Sequence, residues 1–204
     1  RDPIDAGGAL DNAGQGAFSV NADRSAPLAD SVLSFPENIE IDALLTLTST
    51  NPGSEVYATA PYAEAVTLTV HHSFIALPEA GYETRASDPR SGAFEMTRYD
   101  MATPLDAPLQ RGYAQRHRLE RVDPSAPSGP VVEPIVYYVD RGAPELIQQA
   151  LIEGGNWWAE AFEAAGFEDA YRVELLPEGV HPLDSRYNVI QWVHRQTRGW
   201  SYGG

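Results

Sequence analysis

The sequence predicts an α+β fold, with a mainly β N-terminal part followed by a βαββ piece. Three features carry that expectation. Residues 39–50 and 66–72 alternate apolar and polar side chains, the period of a half-buried strand. Residues 123–130, Asp-Pro-Ser-Ala-Pro-Ser-Gly-Pro, break the chain with a stretch suited only to a turn or an extended connection. Beyond it, apolar residues recur at three- and four-residue steps between two β-branched runs.

Residues 1–30 are rich in Gly, Ala, Asp, Asn and Ser and carry no period, so they read as an irregular lead-in. From residue 31 to 122 the chain reads as a β-rich accessory domain. In its first strand Ile39, Ile41, Ala43, Leu45 and Leu47 share the face expected to be buried, and Glu40, Asp42, Thr46 and Thr48 share the other. Asn51-Pro52-Gly53 turns the chain, and residues 51–63 form a long connection to the second run, expected to pair antiparallel with the first. Residues 93–99 and 113–121 read as further short strands. Residues 123–133 are the linker and domain boundary.

Residues 134–204 read as strand, helix, strand, strand. Ile135-Val136-Tyr137-Tyr138-Val139 has the composition of a buried strand. Ile147, Ala150, Leu151, Gly154, Trp157, Trp158, Ala161, Phe162 and Ala165 form one stripe, predicting a single helix over 144–165. Pro144 and Glu145 suit its start and Gly166 its end. Residues 171–175 and 188–194 are the following strands, the first of them parallel to 135–139 through a right-handed crossover. The chain ends at Gly203-Gly204 just past a strand, as a truncated domain would.

Composition excludes several classes. A net charge of −15, from 29 acidic and 14 basic side chains, argues against a nucleic-acid partner. No apolar run is long enough to span a membrane. The first residue is Arg1, so any export signal is expected upstream or already removed. The absence of cysteine excludes disulfides and thiolate chemistry. Arg111, Arg116, Arg118 and Arg121 form the one basic cluster, read as the solvated face of a strand rather than an anion site.

Motifs for catalysis are missing. The histidines are His71, His72, His117, His181 and His194, and none lies in a His-Glu-x-x-His arrangement. His71 and His72 are adjacent on a strand, point to opposite faces and cannot clamp one ion. His194 follows Ile190 and Trp192 on one strand face and reads as packed or exposed. His181 and Asp184 fall in a polar loop, residues 177–187. Trp157 and Trp158 lie in the helical apolar stripe and are expected in the core. No Gly-x-Ser-x-Gly, phosphate-binding glycine loop or EF-hand loop is present. The residues therefore give no catalytic, cofactor-binding or metal site.

Longer runs carry a resemblance. Glu133-Pro134-Ile135-Val136-Tyr137-Tyr138-Val139-Asp140-Arg141-Gly142, Gly155-Asn156-Trp157-Trp158, residues 161–167 and residues 184–195 with Thr197-Arg198-Gly199-Trp200 resemble a family of large secreted bacterial zinc-dependent metallopeptidases. These are metzincin-like enzymes with two neighbouring domains of unknown function. Ser34-Phe35-Pro36-Glu37-Asn38, residues 70–74 and Leu77-Pro78 with Gly81-Tyr82 resemble the β-rich domain that precedes the peptidase. The resemblance covers roughly residues 31–204.

It implies that residues 134–204 open a metzincin-like peptidase domain whose His-Glu-x-x-His helix lies further downstream. It also implies secretion or a periplasmic location, a peptide or protein substrate for the intact enzyme, and zinc in the intact protein. No zinc is expected in this chain, and the remainder of the peptidase domain is its expected partner. Two rivals stand beside this reading: a stand-alone β-rich module that binds a protein or glycan, and an inhibitory or folding-assistant segment of the protease.

Overall fold

The computed structural model describes residues 2–77 and 80–193. Among them strand outweighs helix, in keeping with a mainly β α+β fold. The chain divides into two compact units. One runs to Ala76 and takes in Leu183–Arg186; the other runs from Leu77 to Pro182 and resumes at Tyr187. The change of unit thus falls at residues 76 and 77, and the proline-rich stretch of 123–133 lies inside the second unit.

In the first unit the elements are α1 (Ala6–Asn12), β1 (Ser19–Val20), β2 (Ala26–Pro27), β3 (Leu33–Ser34), β4 (Asn38–Thr48), α2 (Ser54–Thr59) and β5 (Ala65–Ile75). β4 and β5 pair antiparallel over eleven residues, from Asn38 opposite Ile75 to Thr48 opposite Ala65, the neighbours the alternation predicted. Along the other edge of β4 run β1, β2 and β3, opposite Thr48, Leu44 and Glu40 in turn. The opening 30 residues are therefore not irregular. They lack a side-chain period because main-chain bonds to β4 order them, two residues at a time. Phe18, Leu45, Leu47, Val56, Ala63 and Val70 form the core, with Ala6, Leu10 and Val20 packed against it. α2, within the connection of 51–63, supplies Val56.

The expected sidedness of β4 holds at Leu45 and Leu47 and inverts at its start. Asn38 and Glu40 are buried, while Ile39 and its partner Phe74 are exposed. Thr46, on the polar face, is also buried. The reason is local: that face meets main-chain groups instead of water. Thr46 Oγ1 donates to the Arg24 carbonyl at 2.7 Å, and Asn38 Nδ2 donates to the Leu183 carbonyl at 2.8 Å.

In the second unit β6 (Glu95–Tyr99) and β7 (Gln110–Ala114) form an antiparallel pair. The strand expected over 113–121 thus begins and ends earlier. β8 (Gly129–Pro130), inside the expected linker, pairs parallel with β10 (Phe167–Glu168). Gly166 makes that pairing possible: its φ is +84°, and a Cβ there would lie 2.6 Å from the Pro127 carbonyl oxygen.

β9 (Ile135–Val139) is the central strand of a parallel sheet ordered β11-β9-β12, with β11 at Tyr171–Leu175 and β12 at Asn188–Ile190. Its end residues Ile135 and Val139 are buried and the three between them half-buried, in keeping with its apolar composition. The expected last strand ends at Ile190, and His194 lies outside the described residues.

The single predicted helix is two, α3 (Glu145–Asn156) and α4 (Ala159–Ala164). Trp157 and Trp158 between them keep helical φ with ψ of −25° and −21°, and the Trp158 N–H bonds to the Gly155 carbonyl three residues back. This tight turn follows the glycine pair, where the helix meets the sheet. A Cβ on Gly155 would sit 2.6 Å from Val173 Cγ2. Asn156 then sets its amide against β11, donating to the Val173 carbonyl at 2.9 Å and accepting from the Val173 N–H at 2.8 Å. Trp157 and Trp158 are 70% and 65% exposed, so the core position expected for them is corrected. The tight turn between the two helices leaves both rings largely open to solvent.

Candidate functional site

The most developed polar cluster lies on the β4–β5 pair. Period-2 alternation puts Asn38, Glu40 and Asp42 on one face of β4. The register sets Ser73 opposite Glu40 and His71 opposite Asp42. His71 Nε2 lies 2.7 Å from Glu40 Oε2, and its Nδ1 lies 2.7 Å from Asp42 Oδ1. Ser73 Oγ and Asn38 Nδ2 also donate to the Glu40 carboxylate. Asn38 completes its amide with the Leu183 carbonyl and accepts from the Ser185 N–H at 3.0 Å.

Charge decides what this cluster does. Burial alone would raise the Glu40 carboxyl, but donation from Ser73, Asn38 and His71 holds it below the ordinary glutamate range. The Asp42 carboxylate first, and Glu40 after it, raise His71 against the opposing effect of burial. The imidazolium, with both ring nitrogens as donors, suits this site, because an acid faces each nitrogen. Such a ring has no lone pair for a substrate proton or a metal ion. Ser73 donates to Glu40, whose carboxylate is already occupied by Asn38 and His71 and held below the ordinary range, so it is too weak a base to make the hydroxyl a nucleophile. The cluster is an ion network that fixes the register of β4 on β5 and, through Asn38, holds residues 183–185.

A second feature lies within the other unit. His117, Ile135, Tyr137, Trp158, Phe162 and Tyr171 line a shallow cavity of about 260 Å³. Phe162 and Tyr171 stack with centroids 5.2 Å apart, and His117 meets Tyr137 edge-on. Burial, and then Tyr137, raises the Tyr171 phenol. The walls are mainly aromatic, and no carboxylate lines the cavity to orient the His117 ring, so the cavity suits an apolar group.

The four arginines of the basic cluster have four different neighbours. Arg111, the only one on a strand, donates to Thr103 Oγ1 at 3.4 Å. Arg116 lies over the Tyr82 ring and donates to the Glu83 carbonyl. Arg118 pairs with Glu120, and Arg121 lies over Phe167. The expected strand face is thus corrected: after Ala114 the chain is irregular, and its arginines disperse. Asp184 is buried and pairs with Arg186 at 2.7 Å, which occupies it as a structural anchor. His72 is half-buried on β5, and residues 177–187 form the loop expected around His181.

Sequence reasoning missed the Glu40 network because alternation alone assigns Glu40 and Asp42 to water. The signal was there in part, as two acids on one strand and His71 and Ser73 on the next. The register that joins them does not follow from a connection as long as residues 51–63.

The profile of the family described as Domain of unknown function (DUF5117) matches residues 5–121, more than half of the chain. The chain belongs to the DUF5117 family. The DUF5117 match takes in the first unit up to Ala76 and the β6–β7 pair, and it stops next to the proline-rich stretch. No curated protein and no solved structure matches the chain.

Proposed function

We propose that this chain is a non-catalytic portion of a secreted or periplasmic zinc-dependent metallopeptidase. In that reading residues 134–204 open the metzincin-like peptidase domain and the DUF5117 region is its accessory domain. The observation that carries the reading is the order β9, α3 with α4, β11, β12. Its three parallel strands and crossing helix lie on the residues that resemble the peptidase. Asn156, in the run Gly155-Asn156-Trp157-Trp158, gives that run a structural purpose, because it joins helix to sheet.

Zinc in such an enzyme activates water for attack on a peptide carbonyl. The described residues do not fit a zinc centre: His71 is committed to two carboxylates, and no three His, Asp or Glu among the described residues could hold one ion. No step of hydrolysis is assigned to them. Their role is scaffold, with peptide substrate and metal bound by residues further along the intact protein.

Metal analysis and a general protease assay test this on two chains side by side, residues 1–204 and the same chain continued through a His-Glu-x-x-His helix. The expected result is one zinc and peptide cleavage in the longer chain alone. One zinc per molecule in the shorter chain, or cleavage by it that is lost in His194→Ala, overturns the proposal.

A further inference from the structure

One edge of β6 has no strand beside it among the described residues. β7 is flanked on both sides: β6 pairs with one edge, and residues 85–87 bond to the other through Ser87 N–H to the Gly112 carbonyl and Ala114 N–H to the Arg85 carbonyl. β6 itself pairs with β7 alone among the described residues. The Gln115 N–H donates to the Phe94 carbonyl, and the Asp100 N–H to the Leu109 carbonyl. Those bonds fix the even-numbered residues of β6 as the ones that exchange bonds with β7. The N–H and C=O groups of Glu95, Thr97 and Tyr99 therefore point away from the pair.

Natural edge strands are guarded by proline, a bulge or an outward charge. β6 has no proline and a regular five-residue register. Its one acid, Glu95, is folded back over the hairpin, its carboxylate lying where a Cβ on Gly112 would stand and accepting from Thr97 Oγ1 at 3.2 Å, which leaves Arg98 as the one charge able to guard the edge, and that only against a basic strand. Phe94, Met96 and Tyr99 are 83%, 45% and 69% exposed and give the edge an apolar surface.

Charge identifies the occupant. Arg98 stands directly opposite Arg111 on one face. Like charges in that position oppose pairing, and neither arginine has an ion-pair partner among the described residues. A carboxylate opposite Arg98 on an added strand would lie next to that guanidinium and offset its repulsion from Arg111 one strand further in. The chain as a whole repels acids at a net charge of −15, yet seven of its 14 basic residues lie between residues 85 and 121. We propose that the free edge of β6 binds an extended segment of a partner protein as a further strand, one face of which alternates acidic and apolar side chains. Main-chain bonds to Glu95, Thr97 and Tyr99 hold it, and Arg98 selects the acid. This stands independently of the peptidase reading.

The test uses the whole chain and a fluorescent octapeptide in which Thr alternates with Glu and Val, so that one face reads Glu-Val-Glu-Val. Anisotropy is expected to show saturable binding, with slowed hydrogen exchange at the amides of Glu95, Thr97 and Tyr99. Lys in place of Glu in the peptide, or Arg98→Glu in the protein, should weaken binding by about tenfold or more. Thr97→Pro removes an outward donor without touching a β6–β7 bond and should abolish binding with the circular dichroism unchanged. Three results overturn the proposal: no saturable binding, equal binding of the Lys peptide, or unchanged binding by Thr97→Pro. Protection of β6 that rises with protein concentration in the absence of peptide overturns it as well, because a second copy is then the occupant.

Discussion

The β4–β5 and β6–β7 pairs obey the same antiparallel rules and reach opposite ends. β4 is flanked on both edges, by β5 and by the short strands of the N-terminal residues. β6 is flanked on one edge among the described residues. Across β4–β5 the facing polar residues are complementary, Asp42 with His71 and Glu40 with Ser73. Across β6–β7 the facing arginines are alike. A polar residue on a strand is thus neither inside nor outside by its own nature. Its cross-strand partner and the next layer decide, which is why Glu40 is buried and Ile39 exposed on adjacent positions.

Substitutions at the two pairs should separate them most. Leu47 is fully buried in the first unit. Leu47→Ala should cost about 3 kcal/mol, read from the urea midpoint of the chain. A loss below about 1 kcal/mol would mean that this core closes around the gap.

The ion network should give the first unit a pH optimum. Glu40, held below its ordinary value of 4.5, contributes stability that is present above pH 4.5 and lost as pH falls through its lowered value. His71, raised above 6.5, contributes stability that is present below pH 6.5 and lost as pH rises through its raised value. Both contributions are complete only between pH 4.5 and 6.5. Urea midpoints across pH should form a dome over that window. Glu40→Gln should lower the top by about 1–3 kcal/mol and make the acid limb shallower, with Asp2, Asp88 and Asp123, also held low, keeping part of it. A profile identical to that of the unsubstituted chain would show the network to be energetically silent.

The smallest effect belongs to the exposed pair. Met96→Thr should shift stability by less than about 0.5 kcal/mol, because the side chain is 45% exposed and Thr suits a strand. A larger loss in the same urea experiment would mean that the surface of β6 is already covered in solution.

The readable parts of the fold were those with a period. The β4–β5 pair, β9 and the order of strand, helix and strand around it follow from spacing alone. Three features escaped. β1, β2 and β3 are too short to show a period. The break at Trp157 and Trp158 arises where Gly155 approaches Val173, a tertiary contact that the apolar stripe does not encode. The Glu40 network needed a register that its long connection leaves open. The acids and the histidine were visible one by one, and only their pairing was hidden.

Asn156 has a consequence for how far the parallel sheet can extend. A side-chain amide carries one donor side and one acceptor side, like a single peptide group. By meeting both main-chain groups of Val173, it acts as a strand one residue long. Growth on that side is terminated by a residue belonging to the helix that crosses the sheet. Any strand that enlarges this sheet must therefore join beyond β12, so the fold has a direction of growth fixed by one asparagine.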